Sequence, residues 1–329
     1  VFSIPKGTEE KIFNLTSAQM RMFISDDLTG DSLVYNLPQA YEIHGEFDKL
    51  KLSTAFKNLI NRHESLRTVF SLDSAHNPQQ EILETVNFEV EYYEASLAEI
   101  GGIIEKFVRS FDLSEGPLLR VGLITMNSNL HILLVDLHHI ISDGTSQEVL
   151  IHDFIQLYKG NNLPKVAIRY RDYLNWYLSE ENQQSIDSQR DFWRNNFSGT
   201  LPLLNLPTDL TRPTEKTYRG GTYYFKISKE ETASIKGLAK QYNTSLFSVL
   251  LSVYSILLSK LSNQEDIIIG TPVAGRTHAD LQKIIGVFVN TLALRLFPQQ
   301  EKSFKNYWHY ITNYHCTFNC NSFCVSRPN

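Results

Sequence analysis

Apolar positions along this chain recur at two spacings, and the switches between them mark out its elements. "LTSAQMRMFISD" offers Thr16 or Ser17 as a cap and then Met20, Met22, Phe23 and Ile24, which predicts a short helix. "YNLPQAYEIHG" turns Glu42 outward and Ile43 inward, the mark of a strand. Leu50, Leu52, Ala55, Phe56, Leu59 and Ile60 return at helical spacing, with Arg62, His63 and Glu64 at the C-terminal end of that helix. "LRTVFSL" predicts a strand, with Gln79 to Phe88 as its hairpin partner. A helix, a Gly116-Pro117 break and a strand from Leu118 to Thr125 follow, then the strand "NLHILLVDLHH". In "SQEVLIHDFIQLYKG" the residues Val149, Leu150, Phe154, Leu157 and Tyr158 share a helical face that stops at Gly160. Thr145-x-x-Glu148 supplies a capping box for its start.

Residues 160–166 are polar and contain a proline, which suits a hinge. Beyond it come a helical block from Tyr170 to Phe197, a proline-rich crossing, a strand "GGTYYFKIS", and two helices between Glu230 and Leu261. The fully apolar strand "EDIIIGTPVAGR" enters a Gly-rich turn, and "VFVNTLALRLF" is a last strand. Alternating strands and helices in both halves predict an α/β protein of two lobes with mixed sheets, residues 1–165 and 166–311. The remainder, 312–329, shows neither period and forms an off-pattern tail.

Composition narrows the function classes. The 329 residues carry a net charge of −5, which argues against a nucleic-acid partner, since phosphate backbones call for a basic face. No apolar run approaches the ~20 residues of a membrane span, and the N-terminus lacks the pattern of a secretory signal, so a cytoplasmic protein without a membrane partner is expected. All three cysteines, Cys316, Cys320 and Cys324, lie in the last fourteen residues, where composition changes abruptly. That spacing fits neither a disulfide framework nor a zinc site, and the tail is expected to be a truncation or frame change that packs poorly and keeps its thiols free.

The chemistry concentrates in "VDLHHIISDGTSQE". Adjacent residues of a strand point to opposite faces, so His138 and His139 cannot both hold one metal, and no metal is expected. A hydrolase of the nucleophile-elbow type would need G-x-S-x-G, which the chain lacks; capping explains Ser142 and Ser146. The pair of histidines stands where a strand turns into a helix, and the helix offers N–H groups and positive dipole to an oxyanion.

"HHIISDG" resembles the HHxxxDG signature of the condensation domains of nonribosomal peptide synthetases, relatives of chloramphenicol acetyltransferase. "LTSAQMRMF", "RHESLRTVF", "YRDYLNW" and "IGVFVNTLALR" resemble four further motifs of that family, in its order, so that the likeness covers about Ile12 to Lys305. Thr145-Ser146-Gln147 after the Asp-Gly, and histidines rather than aspartate before it, resemble the subclass joining an L-configured donor to an L-amino acid. The resemblance implies two chloramphenicol acetyltransferase-like lobes in a V with a tunnel between them, the second lobe incomplete. It lacks the family's N-Q-D-Y-P-F-like and R-x-x-x-x-P-L motifs, so sheet edges and apolar faces are expected to be exposed there.

The resemblance further implies condensation of a carrier-bound peptidyl or aminoacyl thioester with a carrier-bound aminoacyl amine. No cofactor belongs to the domain itself; the substrates ride on phosphopantetheine of upstream and downstream peptidyl carrier domains, alongside an adenylation domain. His139 is the expected catalytic residue, with His138, Asp143 and Gly144 completing the site; Gly144 leaves room for the donor arm or an oxyanion. An Asp–Arg pair is implied, with Arg62 and then Arg67 as the partner of Asp143. Ser142, Asn290 and Trp176 are assigned to the tunnel, although Trp176 also suits packing and Asn290 also suits satisfying backbone. The alternatives are an inactive fragment, a non-catalytic module that docks carrier proteins, and a thioester hydrolase.

Overall fold

The computed structural model describes residues 4–30, 32–211, 213, 214, 220–299, 301 and 303–320. The chain divides into two compact units, Val1–Gln184 with Ala274–Val289, and Ser185–Val273 with Asn290–Asn329. The boundary expected at residue 165 therefore lies later. Tyr170, Tyr173 and Leu174 are buried with Phe13, Ile82 and Phe288 in a core of the first unit, which carries their helix with it.

The first unit contains, in order, β1 (Ile12–Asn14), α1 (Ser17–Thr29), β2 (Gln39–His44), α2 (Lys49–Arg62), β3 (Thr68–Leu72), β4 (Pro78–Ile82), β5 (Glu91–Glu94), α3 (Ile100–Phe107), β6 (Leu119–Asn127), β7 (Leu130–Leu137), α4 (Gly144–Tyr158) and α5 (Tyr170–Leu178). Its main sheet runs β2-β7-β6-β5, and a smaller one runs β1-β4-β3. Among the described residues of this unit only β5–β6 pair in parallel; the other pairs are antiparallel. Both faces of β7 are covered. Leu133, Val135 and Leu137 meet Leu52, Phe56, Leu59 and Leu150 from α2 and α4, while Leu134 joins Ile124 and Phe107 on the other face. Each fully buried side chain of this kind contributes about 1.5–3 kcal/mol, so the strand that leads to the histidines is anchored firmly.

The capping reading holds for α1 and fails for α4. Thr16 Oγ1 accepts from Gln19 N (3.3 Å) and Gln19 Oε1 accepts from Thr16 N (2.9 Å), a reciprocal box. At α4 the cap is Asp143, whose Oδ1 accepts from Ser146 N at 2.8 Å; Thr145 already lies inside the first turn. The strand expected over Gln79 to Phe88 ends at Ile82, and Phe88 turns into the core instead.

The helix α6 (Glu180–Ser188) straddles the division. The second unit then holds α7 (Arg190–Asn196), α8 (Lys229–Gln241), α9 (Leu246–Ser262), β8 (Ile267–Val273), β9 (Asn290–Leu296) and α10 (Phe304–Cys320). β8 and β9 pair antiparallel as a two-stranded sheet. The expected strand "GGTYYFKIS" is irregular: it gains no ladder partner, and Tyr223 and Tyr224 are each 87% exposed. α9 mixes serines with Val249, Leu251 and Leu258 on its buried face and leaves an apolar stripe outside. It buries Ser248, Ser252, Ser255 and Ser259, while Leu250, Val253, Tyr254 and Leu257 are 43–52% exposed. The serines offset their desolvation locally: Ser252 Oγ donates to Ser248 O (2.7 Å) and Ser255 Oγ bonds the Tyr307 hydroxyl (2.8 Å).

The last helix runs across the start of the expected tail at 312. Tyr307, Trp308 and Ile311 keep helical spacing and are buried, and the backbone continues as helix to Cys320. The expectations about thiols lie outside the described residues, Cys324 entirely and Cys316 and Cys320 in their side chains. Among the described residues no single helix is long and apolar enough to cross a membrane.

Candidate active site

β7 does not carry both histidines as a strand. It ends at Leu137, and His139–Ile141 form one turn of 3-10 helix before the extended Ser142. Neighbouring backbone fixes the exit: His138 N donates to Leu118 O (3.1 Å) and His139 N to Tyr35 O (2.7 Å). The two imidazoles still end in different surroundings, but the tight turn rather than strand alternation separates them. His138 is 1% exposed, lies against the Tyr35 and Phe111 rings, and accepts from Ile140 N at Nδ1 (3.2 Å). Its Nε2 is 3.6 Å from Asp26 Oδ1.

His139 is partly exposed. Its Nδ1 lies 2.7 Å from the Ser142 carbonyl oxygen. A carbonyl can only accept, so Nδ1 carries the proton of the neutral ring and Nε2 keeps a lone pair. This assigns the tautomer from geometry alone. The Ser142 side chain does not line an opening as expected: Ser142 is fully buried, and its carbonyl is the group that matters.

Asp143 is paired with neither expected arginine. Its Oδ1 accepts from Arg276 NH2 (2.9 Å) and from Ser146 N (2.8 Å), and its Oδ2 accepts from Phe288 N (3.0 Å). Both side chains of the pair are almost wholly buried, at 3% and 1% exposed. Removing one member of such a pair costs about 3–5 kcal/mol, because the other charge is left uncompensated. Arg62 instead reaches Asp153 Oδ2 (2.8 Å) and Pro164 O (2.7 Å), where the end of α2 crosses α4. Arg67 donates to Leu83 O beside Glu64.

Arg276 comes from the turn after β8, whose path depends on Gly275. That residue has φ +63°, and a Cβ there would lie 1.8 Å from Phe288 O. The guanidinium lies over the Phe288 ring at 4.0 Å and donates to Ile284 O at 2.8 Å. Gly144, in contrast, is exposed, has no unusual φ, and a Cβ there would meet nothing within 4 Å. Neither the backbone nor the packing requires glycine at this position. Below the motif, Asp136 is fully buried against Asn36 Nδ2 (2.7 Å) and Arg120 (3.3 Å), and burial pushes its carboxyl above the usual range. Among the described residues no three His, Cys, Asp or Glu side chains gather as a metal-ligand set.

The condensation domain description matches residues 9–315 of this chain. The chain belongs to the condensation domain family. It is 42% identical over 293 residues to gramicidin S synthase 2 of Aneurinibacillus migulanus and 40% identical over 296 residues to tyrocidine synthase 3 of Brevibacillus parabrevis. These alignments cover 89% and 90% of this chain but only 7% and 4% of those synthases. In fold it is similar to the X-domain from teicoplanin biosynthesis, with a TM-score of 0.86 and 22% identity over 99% of this chain and 78% of that one. The condensation domain of the Monacolin K polyketide synthase MokA gives a TM-score of 0.83 at 18% identity, covering 95% and 74%.

Within this condensation domain the remaining expected residues are dispersed. Trp176 packs beside Tyr173 at the edge of the α5 core, with ring centroids 6.2 Å apart. Asn290 opens β9 in the second unit, where its Oδ1 accepts from Thr291 N (2.9 Å). Sequence reading missed Arg276 and Gly286, which hold the motif loop, and gave Ser146 a capping role where its hydroxyl binds both of them. A signal was present. "TPVAGRTH" places an arginine at the mouth of an apolar strand, where a buried guanidinium needs an acid, and Asp143 is an acid at the mouth of the apolar strand "HILLVDL".

Proposed function

We propose that this chain joins a carrier-bound peptidyl or aminoacyl thioester to the amine of a carrier-bound aminoacyl acceptor. The amine nitrogen attacks the thioester carbonyl, His139 Nε2 accepts the proton that the amine loses, and collapse of the tetrahedral intermediate releases the thiol, which takes a proton back. The observation that carries this reading is the Nδ1–H bond from His139 to the Ser142 carbonyl, which leaves Nε2 basic in a partly open position. Holding two tethered reactants together supplies much of the acceleration. Gly144, free of steric reasons to be glycine, keeps the start of α4 clear for the donor arm or the oxyanion.

The upstream and downstream carrier domains and an adenylation domain are the partners this reading requires, with phosphopantetheine entering on the carriers. Thr145-Ser146-Gln147 supports an L-donor and L-acceptor, and the two-lobed V with its tunnel belongs to the same proposal. A docking module without turnover is the second reading, because the fold is shared with an X-domain described in complex with OxyB. Incubating the chain with aminoacyl donor and acceptor carriers separates the readings by product. Peptide that disappears in His139→Ala supports condensation. Free acid would mean a hydrolase, and carrier binding without product would mean a docking module.

A further inference from the structure

Resting on the reading that His139 Nε2 is the basic atom, we propose that Ser146 is a positioning residue: its hydroxyl locks residues 274–289 onto the first turn of α4 and thereby holds the Ser142 carbonyl that sets the His139 ring. Ser146 is fully buried, and its hydroxyl uses its whole capacity. It donates to Gly286 O (2.7 Å) and accepts from Gly286 N (3.0 Å) and from Arg276 NH2 (2.6 Å). The same Arg276 NH2 reaches Asp143 Oδ1, and Ser146 N donates to that oxygen as well. One turn of helix thus binds segment 274–289 through both its first carboxylate and its first buried hydroxyl.

The close approach is built in. A Cβ on Gly286 would lie 2.6 Å from the Tyr170 ring, so only glycine brings that backbone to Ser146. Ser142 lies next to Asp143 in the chain, and its carbonyl is the sole described acceptor of His139 Nδ1. Loss of the Ser146 hydroxyl leaves Gly286 N and O without their partner and frees the Arg276 amino group to pull on Asp143. Ser142 then shifts with its neighbour. A displacement of about 1 Å in a catalytic group can cost on the order of a hundred-fold in rate.

Ser65 provides the control, because its hydroxyl also binds this segment, at Ile285 O, without touching the motif loop. Ring-nitrogen NMR of the histidine-labelled 329-residue chain, with His139 assigned by difference from His139→Ala, reads the tautomer without substrate. In the unmodified chain His139 should be a single Nδ1–H tautomer. Ser146→Ala should convert it to a mixture, shift the pH profile of amide formation and lower kcat about ten-fold or more with little change in KM. Ser65→Ala should lower the melting temperature and leave the His139 spectrum and pH profile alone. Ser146→Thr should restore both, and Ser146→Cys, which keeps the volume but accepts poorly, replaces the alanine variant if that one does not fold. A His139 spectrum unchanged in Ser146→Ala or Ser146→Cys would overturn the proposal. Absence of product from the unmodified chain would count against the catalytic reading instead, and the spectrum would still decide the role of Ser146.

Discussion

His138→Ala removes a ring packed between Tyr35 and Phe111 at 1% exposure, whereas His139→Ala removes a partly exposed one. The first is therefore expected to cost about 2–4 kcal/mol of stability by leaving a cavity, with residual turnover. The second should melt close to the unmodified chain and make no peptide. Thermal melts beside product assays check both; equal losses of activity with equal melting would contradict the different burial of the rings. Gly144→Val is expected to fold normally, since the space beside it is open, and, on the proposal that the donor arm or oxyanion approaches there, to lose turnover. Activity retained at the unmodified level would show that nothing passes there. At this scale the sequence is legible where residues are neighbours: the His-His-Asp-Gly run and its turn could be read directly. The partner of Asp143 could not, because Arg276 lies 133 positions away and several arginines satisfy the same charge requirement.

Among the elements, the crossing of α2 and α4 carries a titrating cluster. His63 is buried, its Nε2 donates to Asp153 Oδ2 (2.9 Å), and burial holds its imidazole below the usual pKa while Asp153 offsets this only in part. Burial alone would raise the Asp153 carboxyl, but hydrogen bonds from His63, His152 and Arg62 outweigh it and hold the group well below the usual range. Both folded values lie under the unfolded ones, so each group stabilises the fold above its unfolded pKa and the benefit is lost on acidification. For His63 the loss begins below about pH 6.5, and for Asp153 below about pH 3.9. The melting temperature should fall between pH 7 and pH 5, and His63→Gln should flatten that interval; an unchanged slope would remove His63 from the account. α9 makes a separate prediction. Its exposed apolar stripe should bind a hydrophobic dye in the native state, and Leu250→Lys with Leu257→Glu should reduce dye binding without lowering the melting temperature. Periodicity located α9 but could not orient it. Leucines lie all round this helix, and the buried face is the one that four serines share with Val249, Leu251 and Leu258, which no single-helix pattern announces. The strand expected at 220–228 failed for a related reason: β propensity becomes a strand only where a neighbouring strand accepts its ladder.

For the whole molecule, two α/β halves were legible from alternating helical and strand periods, while their boundary was not, because it depends on which core Tyr170 and Tyr173 join. Nor could a linear reading see that Ala274–Val289, flanked on both sides by β8 and β9, belongs with the first unit. That path matters to anyone recombining such domains. A single splice after Gln184 would import a foreign segment 274–289 with the second unit and set it against the resident Asp143 and Ser146. Hybrids made by one junction should fail in proportion to mismatch at Arg276, Gly286 and Phe288, and returning residues 274–289 to the parent of the first unit should recover folded protein. Equal yields from one-junction and restored hybrids would show the segment to be portable. The inheritable module is therefore not a stretch of gene but a contact set, and the correct seam for shuffling has three cuts rather than one.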